Sequence, residues 1–208
     1  MKTSSWEVDT QKFLSPSDVK TLLDATRKTA AEGNPFAVRD LFFLRLGLAT
    51  GLRVMEIAAL NCGDFNLNDT MPSLVVLRGK GKKKRRVFFS HAFKRQCEGY
   101  FLWKKTLGES VEPDQPLLLS SSTEGHLTTR ALQKAFKRCA RRAGLPPRYS
   151  IHCLRHTYAC FLLKASNWNL RLVQKQLGHS KITTTQVYAD VMMPEIKNAL
   201  ENLDSNYQ

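Results

Sequence analysis

The chain has 208 residues, 42% hydrophobic and 24% charged, enough to bury one substantial core in an ordinary globular protein. Thirty-two Lys and Arg against 18 Asp and Glu give a net charge of +14, a balance that points to a polyanionic partner, most often nucleic acid. No apolar run reaches membrane-spanning length and the N-terminus lacks the apolar core of a signal peptide, while five cysteines without a Cys-x-x-Cys pair predict reduced thiols in a reducing, cytoplasmic compartment.

Residues 1–14 read as a lead-in without strong periodicity. Ser15-Pro16-Ser17-Asp18 predicts a helix start, with Ser at the cap, Pro in the first turn and an acid at the third position. Val19, Leu22, Leu23 and Thr26 carry that helix toward Gly33. Asn34-Pro35 starts a second helix, apolar on most sides from Phe36 to Ala49 and ended by Gly51. A short helix from Val54 to Leu60 follows Arg53. Leu74–Leu77 and Val87–Phe89 are strand-like runs on either side of Gly79-Lys80-Gly81-Lys82, which predicts a hairpin with a basic tip. Ser90 caps a helix to about Leu107, and residues 111–127 read as loop with a short strand at Leu117–Leu119. Thr128 opens a helix that runs to Gly144, and Pro146-Pro147 breaks the chain. Helices are expected over His152–Lys164, from about Asn169 to Leu177, and from Pro194 to near Leu203. The expected fold class is mainly α with a small antiparallel β-sheet (α+β), with no internal repeat and no domain boundary inside the chain.

The chemistry concentrates between His152 and Tyr188. His152 and Arg155 stand three residues apart on one helix face, a ready phosphate clamp. His179 follows at a helix end and Tyr188 nine residues later, an order that describes a site able to hold a phosphodiester and attack it with a phenol. Arg53 sits at a helix start behind a glycine turn, where an anion is favoured; a plain salt bridge to Glu56 is the alternative. The helix from Thr128 to Gly144 carries six cations (Arg130, Lys134, Lys137, Arg138, Arg141 and Arg142) and no acid, which favours nucleic-acid contact over a merely solvated face. Seven of the nine residues from Arg78 to Arg86 are basic, Lys80, Lys82, Lys83 and Arg85 among them, on a turn that can carry one Lys to a phosphate. His152, Cys153, His156 and Cys160 have the residue types of a zinc site, but no Glu follows His152 and no second ligand pair stands out; His156 or Cys160 reads as core.

The segments Thr50-Gly51-Leu52-Arg53-x-x-Glu56-Ile57, Gly79-Lys80-Gly81-Lys82-x-x-Arg85, His152-x-Leu154-Arg155-His156-Thr157, Leu177-Gly178-His179 and Tyr188 resemble, in this order, the tyrosine recombinase (phage integrase) family from about residue 12 onward. The resemblance implies the fold of that family's catalytic domain. It also implies that Tyr188 is the nucleophile, forming a covalent 3′-phosphotyrosine, and that Arg53 and Arg155 hold the non-bridging oxygens. His152 would do acid/base work on the tyrosine hydroxyl. Lys80 would protonate the leaving 5′ oxygen, His179 would hydrogen-bond the phosphate, and Glu56 would support. Lys82, Lys83, Arg85, Arg130, Lys134, Lys137, Arg138 and Arg141 are the expected DNA contacts. No metal, ATP or other cofactor is required, because the phosphotyrosine stores the bond energy for religation.

The implied protein is a site-specific DNA recombinase of the bacterial nucleoid. It acts on double-stranded DNA as a homo-oligomer, a tetramer, on paired sites, with accessory DNA-bending proteins as further partners and no membrane. The expected organisation is a lead-in over 1–14, a catalytic domain over 15–193, and a tail over 194–208 that either folds back on its own domain or docks in trans, without the separate core-binding domain most family members carry before the catalytic domain. A type IB-like topoisomerase and a non-catalytic DNA-binding regulator of the same fold are the rival readings.

Overall fold

The computed structural model describes residues 13–77, 84–179, 181 and 183–192. Lys80, Lys82 and Lys83 of the hairpin tip, the lead-in up to residue 12 and the tail beginning at Pro194 lie outside the described residues. What is described is mainly helical with one three-stranded antiparallel sheet.

Local chemistry sets the element ends. The first helix, α1 (Pro16–Ala31), begins with a closed capping box: the Ser15 hydroxyl accepts from the Asp18 N–H and the Asp18 carboxylate accepts from the Ser15 N–H at 3.0 Å. In α2 (Pro35–Thr50) the Asn34 side chain accepts from Ala37 N–H at one end, and Gly51 caps the other at φ 62°. The short α3 (Val54–Ala58) follows immediately. The sheet is β1 (Phe65–Asn66), β2 (Ser73–Leu77) and β3 (Lys84–Phe88) in that spatial order, with Leu74 opposite Val87 and Val76 opposite Arg85. The short strand β1 adds to the expected hairpin. Then come α4 (His91–Thr106), α5 (Thr129–Arg142), α6 (His152–Ala165), α7 (Leu170–Leu177) and α8 (Thr183–Met192). The expected strand at Leu117–Leu119 is instead a pair of isolated bridges, Asn61 with Pro116 and Leu119 with His126.

The core centres on α2, which packs against α1, α4, α5 and α6. Phe43, Leu44 and Leu46 are fully buried, and Phe42 stacks on Tyr100 with ring centroids 3.8 Å apart. The strongly amphipathic α5 buries Leu132, Ala135, Phe136, Cys139 and Ala140 and leaves its cations outward. A second apolar cluster joins Tyr158, Ala159, Cys160 and Leu163 of α6 to Val173 and Leu177 of α7 and Tyr188 of α8. Thus α6 lies between the two clusters, with Cys153 and Leu154 in the first and its later turns in the second. Among the described residues no helix is long and apolar enough to cross a membrane.

Gly51 is where the two clusters meet. A Cβ there would stand 2.2 Å from Tyr158 Cδ1 and 2.8 Å from Leu177 Cδ2. Its left-handed backbone adds strain for any L side chain. Gly51→Ala is therefore expected to destabilise the protein by more than the ~1–3 kcal/mol of left-handed strain alone. Chemical denaturation checks this; an unchanged midpoint would show that the turn and Tyr158 adjust freely.

Candidate active site

Arg155 is the hub. It is 7% exposed, one turn into α6, and its guanidinium donates to two backbone carbonyls: Gly51 O at 2.6 Å and Leu177 O at 3.1 Å. Both carbonyls close a helix, since Gly51 caps α2 and Leu177 ends α7 ahead of the left-handed Gly178. A cation at the negative end of a helix dipole is favourable, and here one cation serves two such ends. Burial, then the proximity of Arg53, pulls the Arg155 pKa down to about 10, so the group stays charged at neutral pH.

The same guanidinium sets the state of His179. Arg155 Nη2 lies 2.9 Å from His179 Nε2. Arginine has no acceptor, so Nε2 must accept. The ring's Nδ1, 2.9 Å from the hydroxyl of the fully buried Thr185, then carries the proton and donates. Thr185 and Tyr188 share one face of α8, so this chain from Arg155 through His179 to Thr185 fixes the helix that carries the phenol. The Tyr188 ring lies near-parallel to the His179 ring, with centroids 6.5 Å apart. Burial pushes the Tyr188 phenol above its ordinary pKa, against the pull of Arg155 and Arg53.

Arg53 stands at the N-terminus of α3 with its side chain 45% exposed, and it makes the salt bridge to Glu56. Its backbone N–H donates to Glu56 at 2.8 Å and its guanidinium lies 3.3 Å from the same carboxylate. Arg85, expected among the DNA contacts, is instead committed to Glu56 through two bonds of 2.6 and 2.9 Å. Although burial alone would raise the Glu56 pKa, the bonds from Arg85 and from the Arg53 N–H outweigh it and hold the carboxyl at about 2. Glu56 therefore ties β3, the strand leading out of the hairpin tip, to the turn that presents Arg53.

His152 is exposed at the first position of α6. Among the described residues it makes no hydrogen bond to Tyr188. That contact belongs to His156, whose Nδ1 lies 3.1 Å from the Tyr188 hydroxyl. The sequence reading of His156 as core missed this; its signal was the i, i+4 spacing to His152, which places both imidazoles on one face of α6. Cys153 and Cys160 are buried, and burial pushes both thiols up to about 12.

On α5, Arg130, Lys134 and Arg141 are exposed and have no ion-pair partner among the described residues. With Lys137 and Arg138 they line one shallow surface depression. Arg138 pairs with the buried Asp40 of α2, and Lys137 donates to Pro147 O at 2.5 Å, so these two also hold α5 in place.

A family model described as the phage integrase family matches residues 12–195. The tyrosine recombinase XerC of Vibrio campbellii is 31% identical over 190 residues, covering 91% of this chain and 57% of the relative. XerC of Haemophilus ducreyi is 38% identical over 154 residues, covering 74% of this chain and 48% of the relative. The chain thus spans about half the length of these relatives. Among solved structures, the XerH site-specific recombinase bound to a palindromic difH substrate, in a post-cleavage complex, superposes with a TM-score of 0.74 at 25% identity, covering 94% of this chain and 53% of that one.

The Glu56 carboxylate has a depressed folded-state pKa, so it adds stability above its ordinary value of 4.5, and that stability is lost as pH falls toward about 2. Glu56→Gln should be less stable than the parent at neutral pH, and the gap should narrow through this window. Urea unfolding at a series of pH values measures it; a gap that stays constant would remove the ion pair from the account.

Proposed function

The chain belongs to the phage integrase family, and on that premise we propose that it is the catalytic unit of a site-specific recombinase that cleaves and rejoins duplex DNA through Tyr188. One observation carries the reading: a buried, charged Arg155 stands in hydrogen-bond contact with His179, and the Tyr188 ring lies beside that imidazole. A phosphodiester seated on Arg155 and on the exposed guanidinium of Arg53 would have its non-bridging oxygens between two fixed cations. Charge developing on those oxygens in the transition state is then stabilised without rearrangement of the protein.

The reaction exchanges one ester for another. A bond forms from the Tyr188 oxygen to phosphorus and the bond from phosphorus to the 5′ oxygen breaks. The phenol's proton passes to a base, a role assigned to His152, and the leaving oxygen takes a proton from Lys80, as the family resemblance implies. His179, an acceptor for Arg155 in the free protein, must gain or relocate a proton to donate to the phosphate. The phosphotyrosine retains the bond energy, so rejoining is the same steps in reverse. In this reading Arg130, Lys134 and Arg141, exposed on α5, contact the DNA backbone. Action as a homo-oligomer on paired sites, a tetramer aided by DNA-bending proteins in the bacterial cytoplasm, follows from the same reading.

Tyr188→Phe removes only the attacking oxygen. On a nicked suicide duplex carrying the target site, the variant should bind DNA as the parent does and form no covalent adduct on a denaturing gel. An adduct surviving in this variant would move the nucleophile elsewhere.

A further inference from the structure

His152 and His156 lie about one turn apart on the same face of α6, a rise of about 6 Å along the helix axis. His152 is at the exposed start of the helix, and His156, one turn farther in, is partly buried. The Tyr188 hydroxyl is bonded to the inner imidazole, at 3.1 Å from Nδ1, and the residue is 4% exposed. The two rings are tilted by 51° with centroids 5.7 Å apart, so the contact is made through the hydroxyl and not by stacking. A phosphate in a duplex backbone cannot reach an oxygen sheltered in this way. The Arg155 fork, by contrast, lies between Gly51 and His179 near the exposed Arg53.

We propose that His156 is a positioning residue that stores the nucleophile: it holds the Tyr188 hydroxyl one helical turn inward of His152, and attack on DNA requires the phenol to leave His156 and move toward the start of α6. The inference rests on the reading of Tyr188 as the nucleophile. Its physical basis is that a buried phenol needs a hydrogen-bond partner, and His156 supplies one where the phenol is buried. Burial also raises the phenol's pKa, which keeps the stored group protonated and unreactive. Deleting the imidazole removes this partner of the hydroxyl in an apolar cluster and drives it outward to water.

The test reads Tyr188 directly in the free, full-length chain. Tetranitromethane nitrates accessible tyrosines, and peptide mass spectrometry gives the rate at each one. Tyr158, in the same cluster and 8% exposed, is the internal reference. In His156→Phe, which keeps a ring and loses the hydrogen-bonding nitrogen, nitration of Tyr188 should rise severalfold with Tyr158 unchanged. In His156→Asn, whose amide can donate or accept in place of Nδ1, Tyr188 should stay slow. Single-turnover cleavage of a suicide duplex by His156→Phe should be as fast as the parent's or faster.

An unchanged Tyr188 nitration rate in His156→Phe would overturn the proposal. So would a loss of cleavage of ~10²–10⁴-fold, which is what removal of a general base would give. If Tyr158 also nitrates faster in His156→Phe, the larger ring has opened the cluster, and His156→Leu is then read by the same criteria. Failure of the nucleophile reading itself looks different: an adduct would persist in Tyr188→Phe whatever the nitration rates are.

Discussion

One guanidinium closes two helices. Arg155 satisfies the last carbonyls of α2 and α7, elements far apart in the chain, and it does so from a third helix packed against both. Two buried backbone ends and a buried charge would each be costly alone. Together they compensate one another, and the result is a cation held at a defined place under a surface that is otherwise open to a polyanion. Gly51 and Gly178 are the local requirement for this arrangement: the left-handed turn at each lets a helix stop with its carbonyl aimed at Arg155.

The rest of the site is hung from that cation. His179 takes its tautomer from Arg155 and passes the constraint to Thr185, which orders α8 and with it Tyr188. On the other side Glu56, held by Arg85 and by the Arg53 N–H, ties the sheet to the turn that presents Arg53. The strand β3 and the α2–α3 turn are therefore held together through their shared carboxylate. Arg155, His179 and Glu56 are thus fixed by hydrogen bonds to backbone or to neighbours in the free protein.

Much of this was legible in the sequence where short-range rules govern. Ser15, Asn34, Ser90 and Thr128 cap their helices as their side chains dictate, and Gly51 and Gly178 end theirs. The motif residues Arg53, Arg155, His179 and Tyr188 come together from distant positions. What could not be read is what only tertiary contacts decide. The helix α8 was not foreseen because Thr183-Thr184-Thr185 is a poor helix former; it is helical because Thr185 and Tyr188 are buried. Arg85 and Arg138 looked like surface cations in a basic run, but partners 29 and 98 residues away claim them. His156 looked like core because sequence does not say which oxygen an imidazole will meet.

The central claim is that Arg155 dictates the state of the site through His179. Nitrogen-15 NMR of histidine side chains in the DNA-free protein tests it most directly, since the two neutral tautomers have distinct nitrogen shifts. His179 should be neutral with its proton on Nδ1, the form in which Nε2 can accept from Arg155. A spectrum with the proton on Nε2, or with both nitrogens protonated, would contradict it.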